Sequence, residues 1–177
     1  MPRRKRDDGT PKRSEVVTVR LDPKLKYLAE LAARKHRRPL SSFIEWAVEQ
    51  SLSKVVLEES PAGSVSVADA ERAHNLWDLD EPDRVVRLAL NFPDLLTHEE
   101  QVLWKLVREN GYVWKGRFEG TPEEWRWHVR ERSIIWDRLR QHWADFCDVA
   151  RGSKAPSELP GWQRSTVVFD PEDEIPF

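Results

Sequence analysis

The stretch of sequence that decides the fold runs from Val16 to Leu52 and reads VVTVRLDPKLKYLAELAARKHRRPLSSFIEWAVEQSL. Its beginning alternates, because the apolar residues Val17, Val19 and Leu21 are separated by polar ones. This period of two is typical of a half-buried strand. The residues that follow predict helices, so the strand has no evident partner for its backbone N–H and C=O groups.

Two helices are predicted after the strand. Asp22 is a suitable N-cap for the first helix, and Pro23 suits its first position, where the missing N–H is not needed. Pro39 disfavours helix in the residue before it and so separates the helices, and Ser41 or Ser42 can cap the second one. The apolar stripes consist of Leu25, Leu28, Leu31 and Ala32 in the first helix and Ile44, Ala47, Val48 and Leu52 in the second.

One strand and two helices over residues 15–53 offer only a small hydrophobic core. About forty residues with such a core are marginally stable alone. A second copy of the chain would supply both the missing core and the missing strand partner. We therefore expect this segment to form a homodimer, or a dimer of dimers.

The same stretch resembles the ribbon-helix-helix DNA-binding domains of the Arc/Met repressor class in the order, spacing and polarity of its elements. In that family, two chains pair their strands into an antiparallel ribbon that enters the major groove of double-stranded DNA, above four interlocked helices. The resemblance implies that the strand pairs with its own symmetry mate in an intertwined dimer. The expected fold is mainly α, with this domain followed by a Trp-rich helical domain.

The resemblance also assigns roles to individual positions. Val17, Val19 and Leu21 would face the helices, while the alternate residues would face DNA; Arg20 can then read guanine O6 and N7. Val16 departs from the polar residue usual at its position and can make only apolar contact, for example with a thymine methyl group. The implied DNA-binding residues are Val16, Thr18 and Arg20 on the ribbon, with Lys24, Arg37, Arg38, Ser41 and Ser42 on the phosphate backbone.

The N-terminal residues 1–14, MPRRKRDDGTPKRS, indicate a flexible basic arm because they are polar and aperiodic. Residues 1–54 carry a net charge of +7, whereas residues 55–177 carry −9. This asymmetry supports contact between the basic half and DNA, over the alternative of an ordinary edge strand with a charged helix pair. The basic side chains that could follow the backbone or enter a minor groove are Arg3, Arg4, Lys5, Arg6, Lys12 and Arg13.

Residues 54–67 contain a Pro-Ala-Gly-Ser turn signal and are expected to form a linker to a helical domain at 68–150. In that domain, one helix is predicted from Asp80 to Phe92, and a capping box at Thr97–Glu100 begins another that ends at Asn110. Residues 112–119 fit either a strand or an extended connection. The segment 151–177 is expected to be a tail.

A third helix of about 28 residues is predicted after Thr121, because Thr-Pro-Glu-Glu is a helix-start signal. Packing of its heptad stripe within the chain is favoured over a symmetric coiled-coil seam, since the repeat is short and rich in large aromatic residues. Base stacking by the tryptophans is disfavoured by the acidic charge of this region. The stripe consists of Trp125, Val129, Arg132, Trp136, Leu139, Trp143, Phe146 and Ala150.

Few residues suggest chemistry. The sequence contains no Gly-rich phosphate loop and no His-Glu-x-x-His pair, so we expect neither an enzyme nor a metal or other cofactor. The single cysteine, Cys147, excludes an internal disulfide framework and fits a reducing cytosol. No apolar run is long enough to span a membrane, and no secretory signal is predicted. The expected location is the cytoplasm, in association with the nucleoid.

The sequence ends in FDPEDEIPF, residues 169–177. This segment resembles the acidic tip of bacterial single-stranded-DNA-binding proteins, which docks on replication and repair proteins. The resemblance implies that Pro176 and Phe177 would anchor and that the acidic residues would steer a partner by charge. A solvated tail, or one that folds back on the basic arm, is the alternative. The implied partner-binding residues are Asp170, Glu172, Asp173, Glu174, Ile175, Pro176 and Phe177.

Two functions therefore remain open. The first is a dimeric, sequence-specific transcriptional regulator, for example a repressor. The second is a DNA-bound adaptor in plasmid or phage replication, transfer or recombination, which recruits a partner through the acidic tip. Deletion of the tip should spare a repressor and disable an adaptor.

Overall fold

The computed structural model describes residues 16–61, 63–121 and 124–161. The basic residues of the predicted arm and all the residues of the acidic tip lie outside these ranges. The chain divides between Leu79 and Asp80 into two compact units, the N-terminal unit and the C-terminal unit. The described residues form six α-helices and two small antiparallel sheets, so the prediction of a mainly α fold is confirmed.

The N-terminal unit begins with helices α1 (Pro23–Lys35) and α2 (Leu40–Leu52). Asp22 caps α1 as predicted, because its Oδ1 accepts hydrogen bonds from the backbone N–H groups of Lys24 at 2.9 Å and Leu25 at 3.3 Å. These bonds satisfy two of the N–H groups that the first turn of a helix leaves unpaired.

The predicted serine cap of α2 is wrong. Pro39 occupies the N-cap position, and Ser41 and Ser42 lie within the first turn of the helix. The ribbon-helix-helix arrangement is also not formed by a single chain, because residues 16–22 belong to no strand or helix. A strand is defined by its ladder, and the partner expected for this one is another molecule.

In place of the predicted linker at 54–67, the structure has an antiparallel hairpin of β1 (Val56–Ser60) and β2 (Gly63–Ser66). Helix α3 (Val67–His74) follows directly. Ser66 caps α3, since its Oγ accepts a hydrogen bond from the N–H of Asp69. The Pro-Ala-Gly-Ser signal therefore marks the turn of a hairpin within a unit, and the division between units comes later in the chain.

The C-terminal unit consists of α4 (Glu81–Asn91), α5 (His98–Glu109), a hairpin of β3 (Gly116–Glu119) and β4 (Glu124–Trp127), and α6 (Trp136–Ala150). Short 3-10 turns lie at 93–95, 111–113, 131–133 and 156–158. Thr97 and Glu100 form the predicted capping box of α5. The ambiguous segment 112–119 thus contains the end of a 3-10 turn and a strand.

The predicted 28-residue helix is wrong in its first half. Residues Trp125 and Trp127 lie in β4, and Arg132 lies in a 3-10 turn; α6 begins only at Trp136. The hairpin packs closely on the chain before it, since a Cβ on Gly111 would stand 2.9 Å from the Trp127 ring. This tertiary contact overrides the local helix signal.

The core of the C-terminal unit lies between α4, α5 and α6. Leu139, Trp143 and Phe146 are buried there, so the second half of the heptad stripe packs within the chain, as favoured. Trp114 is also buried, and its Nε1–H donates a 2.8 Å hydrogen bond to the carbonyl oxygen of Val107. Within the described ranges, no helix combines the length and the apolar character needed to cross a membrane.

Candidate dimer and nucleic-acid interface

Helices α1 and α2 pack on each other but leave their shared apolar face uncovered. Ala33 is the one buried residue of α1, and α2 has none. An open groove of about 330 Å³ runs along this face. A helix pair without a core is not expected to be stable alone, so the groove needs a cover. It is lined by Leu21, Leu25, Ala29, Phe43, Ile44, Ala47, Val48, Ser51 and Leu52.

Exposed large apolar side chains are concentrated in the N-terminal unit. Among the described residues, fourteen of the fifteen lie there, and Leu95 is the one in the C-terminal unit. Val19 is 64% exposed and Val48 is 54% exposed. The surface that most needs a partner is therefore the one formed by residues 16–56.

The predicted base-reading residues Val16, Thr18 and Arg20 are all exposed. Neither Thr18 nor Arg20 makes a hydrogen bond to another described residue, so both side chains are available to a ligand. In a single chain they lie on a segment without strand structure. Their presentation on one face depends on the ladder that a second chain would supply.

Four of the predicted phosphate-contacting residues come together at the turn between α1 and α2. Arg37 and Arg38 form the turn, and Ser41 and Ser42 lie in the first turn of α2. Lys24 is exposed in the first turn of α1, away from this turn along the helix. Arg37 has a φ of +54°, in the left-handed region that is usually occupied by glycine at the end of a helix.

The start of α2 has no side-chain cap. Pro39 is the N-cap residue, and its carbonyl oxygen accepts a 3.0 Å hydrogen bond from the N–H of Phe43. The N–H groups before Phe43 therefore point out of the helix without an acceptor from a capping side chain. Such a terminus favours an anion, because its N–H groups and the helix dipole act together.

Three aromatic rings surround the same turn, and we call them the turn cluster: His36, Phe43 and Trp46. The Trp46 ring centroid lies 5.1 Å from that of His36 and 5.6 Å from that of Phe43. The guanidinium carbon of Arg38 lies 6.0 Å from the Trp46 centroid. Sequence reasoning missed this cluster, although the spacing of Phe43 and Trp46 by three residues on a helix is a signal that could have indicated it.

The charged and titratable groups of the C-terminal unit contact each other in ways that stabilise the fold. The pKa of Asp145 is lowered, mainly by a hydrogen bond from Lys154 and next by one from His142. The pKa of the Cys147 thiol is raised, first by burial and then by the charge of Glu81. A raised pKa keeps the thiol protonated and a poor nucleophile. Among the residues that the structure describes, no group of three potential ligands could hold a metal ion.

We compared the chain with known proteins. No family model matches it, and neither does any curated protein or solved structure. The function of the chain is therefore inferred from the geometry of the N-terminal unit and from the patterns in its sequence.

Proposed function

We propose that this protein is a homodimer that binds double-stranded DNA in a sequence-specific manner and acts as a transcriptional regulator. The observation that supports this most strongly is the uncovered apolar face of α1 and α2, in which α2 has no buried residue. It directly follows a segment that alternates between apolar and polar residues. A second copy would satisfy both features.

In the proposed dimer, residues 16–21 of two chains pair antiparallel and form a two-stranded ribbon. Val17, Val19 and Leu21 then turn toward the grooves between α1 and α2, where they would complete a shared core. Val16, Thr18 and Arg20 form the opposite face of the ribbon. The major groove is wide enough for a two-stranded β-ribbon, so this face could contact the base edges.

The turn between α1 and α2 would hold the DNA backbone. Arg37 and Arg38 supply positive charge, and the uncapped first turn of α2, with Ser41 and Ser42, supplies hydrogen-bond donors for a phosphate. A dimer presents this turn twice. The two copies would fix the position of the ribbon in the groove and so support base reading by Arg20.

The experiment that tests this function is the selection of bound sites from a pool of random duplexes with the full chain. We expect enrichment of an inverted repeat, because a two-fold protein reads a two-fold site. Arg20→Ala is the matched control, since it should lose the enrichment and still form dimers. If no sequence becomes more frequent than it was in the starting pool, sequence-specific DNA binding is rejected.

A second function, partner recruitment by a DNA-bound adaptor, is favoured by the sequence FDPEDEIPF at 169–177. The adaptor would use the same dimer and the same DNA contacts. The two functions differ in the effect of removing residues 169–177: a regulator should keep its activity, whereas an adaptor should keep DNA binding and lose its partner.

A further inference from the structure

The turn cluster is unusual because its rings do not build a core. Trp46 is half-buried, and α2 contains no buried residue. Large aromatic side chains usually contribute to stability or binding by burying apolar surface in a core or an interface. Here the rings of His36, Phe43 and Trp46 gather beside the turn that presents Arg37 and Arg38. Their placement suggests that they help to fix the conformation of this turn.

Arg38 is the charged member of this arrangement. Its guanidinium carbon lies 6.0 Å from the Trp46 ring centroid, within the range of a cation–π contact. The side chain forms no ion pair with a described carboxylate. Its charge is therefore available to an anion, and the guanidinium group lies over the Trp46 ring. Arg37, one residue earlier, has no such ring contact in the described chain.

We propose that Trp46 is a positioning residue for phosphate binding, which holds the Arg38 guanidinium beside the start of α2. A long arginine side chain loses rotamer freedom when it binds a phosphate, and a cation–π contact that favours one arrangement of the side chain removes part of that loss beforehand. Trp46 does not touch the DNA itself in this account. The inference rests on the proposed function and names the residue that prepares its phosphate contact.

The two arginines of the turn provide a matched pair of variants. Arg38→Lys keeps the positive charge but loses the planar guanidinium group over the Trp46 ring, whereas Arg37→Lys makes the same exchange at a side chain without a ring contact. We expect Arg38→Lys to weaken DNA binding at least fivefold and Arg37→Lys to change it less than twofold. The salt dependence of binding should stay the same in both variants, because the number of charges is unchanged.

A double-mutant cycle separates positioning from a merely structural role of the ring. Trp46→Leu and Arg38→Lys are made singly and together, and the affinity for a duplex carrying the selected site is measured by fluorescence anisotropy. We expect Arg38→Lys to have almost no further effect in the Trp46→Leu background. A structural role would give the same fold-change for Arg38→Lys in both backgrounds, and this result would overturn the inference.

The folding of each variant is followed by circular dichroism during thermal unfolding. If Trp46→Leu unfolds, the comparison of Arg38→Lys with Arg37→Lys decides alone, and equal affinities of these two variants would overturn the positioning role. Failure of the wild-type chain to bind any duplex would instead contradict the proposed function. The two failures are therefore distinguishable.

Discussion

The backbone N–H of Arg38 donates a 3.0 Å hydrogen bond to the carbonyl oxygen of Ala33, and the N–H of Arg37 donates one of 3.0 Å to that of Arg34. This pair of bonds ends α1 in the motif that usually places glycine in the left-handed position. Here the residue in that position is Arg37, with a φ of +54°. A left-handed residue with a side chain costs about 1 kcal/mol, so the chain keeps an arginine where glycine would fit better.

We expect Arg37→Gly to leave the free energy of unfolding unchanged or to raise it by up to about 1 kcal/mol, because the strain is relieved. The same change should weaken DNA binding and reduce the salt slope by about 0.9, the value for one phosphate contact. Arg37→Asn is the control, since asparagine tolerates the left-handed region and also removes the charge. Unchanged DNA affinity in both variants would show that Arg37 does not contact a phosphate.

Arg20 should be the main reader of base sequence. Arg20→Ala is expected to cost about 1–3 kcal/mol of binding free energy on the selected site and much less on random DNA. Deletion of residues 1–13 should instead weaken both kinds of binding to a similar extent and lower the salt slope. Titrations of both duplexes at several salt concentrations measure these effects. If Arg20→Ala binds the selected site as tightly as the wild type, the ribbon is not the reader.

The stability of the C-terminal unit should depend on the buried carboxylate of Asp83, which lies 2.6 Å from Arg140 and 4.0 Å from Arg87. Asp83 is fully buried and accepts hydrogen bonds from Arg140, from Nη2 at 2.6 Å and from Nε at 3.1 Å. Arg140 remains 39% exposed and can return to water. Asp83→Ala should therefore lower the free energy of unfolding by about 1.5–3 kcal/mol, the usual loss for hydrogen bonds to a charged group.

Asp137 provides the matched control for this pair. It lies 3.6 Å from the same arginine, but its side chain is 97% exposed. Exposed ion pairs contribute little, so Asp137→Ala should change the stability by less than about 0.5 kcal/mol. Urea unfolding followed by tryptophan fluorescence measures both variants. If both variants lower the free energy of unfolding equally, the burial of Asp83 is not the reason that it stabilises the unit.

Local signals predicted the ends of several helices correctly. Asp22 and Pro23 begin α1, Thr97 and Glu100 cap α5, and Asn110 follows its last residue. Each of these signals acts within a few residues of the chain, through hydrogen bonds to the nearest unpaired N–H groups or through the shape of the backbone. Such effects can be derived without knowledge of the tertiary structure.

The hairpins could not be derived in this way. The sequence Thr-Pro-Glu-Glu after β3 predicted the start of a helix. Instead, Gly120 adopts a φ of +89°, and the chain turns back to form β4. Trp125 fits a strand as well as the heptad stripe, and the packing of the Trp125 and Trp127 rings against Gly111 decides for the strand. In β1, the pairing register shifts between Val56 and Glu58, and the sequence Val-Leu-Glu-Glu-Ser does not alternate between apolar and polar residues, so it did not indicate a strand.

The candidate interface was predictable in part. The apolar residues of α1 and α2 and the arginines of the turn follow from periodicity and charge, but the turn cluster around Trp46 depends on the angle between two helices. The proposed ribbon would require two chains. A single chain leaves residues 16–22 outside any strand, so the pairing that the alternating sequence predicts is not formed within it.

A peptide of residues 169–177 tests the recruitment function. We expect it to bind a bacterial protein that accepts the acidic tip of single-stranded-DNA-binding proteins. Removal of Phe177 should weaken this binding at least tenfold, about 1.4 kcal/mol, because the apolar anchor is lost and the carboxylate moves. Added salt should weaken it as well. Fluorescence anisotropy with the labelled peptide measures both effects.

The alternative for the same segment predicts a different result. If the acidic residues fold back on the basic arm, deletion of 169–177 should tighten DNA binding. The absence of saturable binding to any of several acceptors would reject recruitment. Unchanged DNA affinity after the deletion would reject the fold-back as well.

The central claim is that residues 15–53 dimerise through their strands and bind DNA only as a pair. Sedimentation equilibrium of the full chain at micromolar concentration, with and without a duplex carrying the selected site, tests it most directly. Val19→Pro removes a ladder donor from each strand, whereas Thr18→Ala removes only a side chain that faces DNA. We predict twice the 20.8 kDa chain mass, or a multiple of it, for the wild type and Thr18→Ala. Val19→Pro should lose dimers and DNA binding together. A folded monomer that still binds its site would contradict the account.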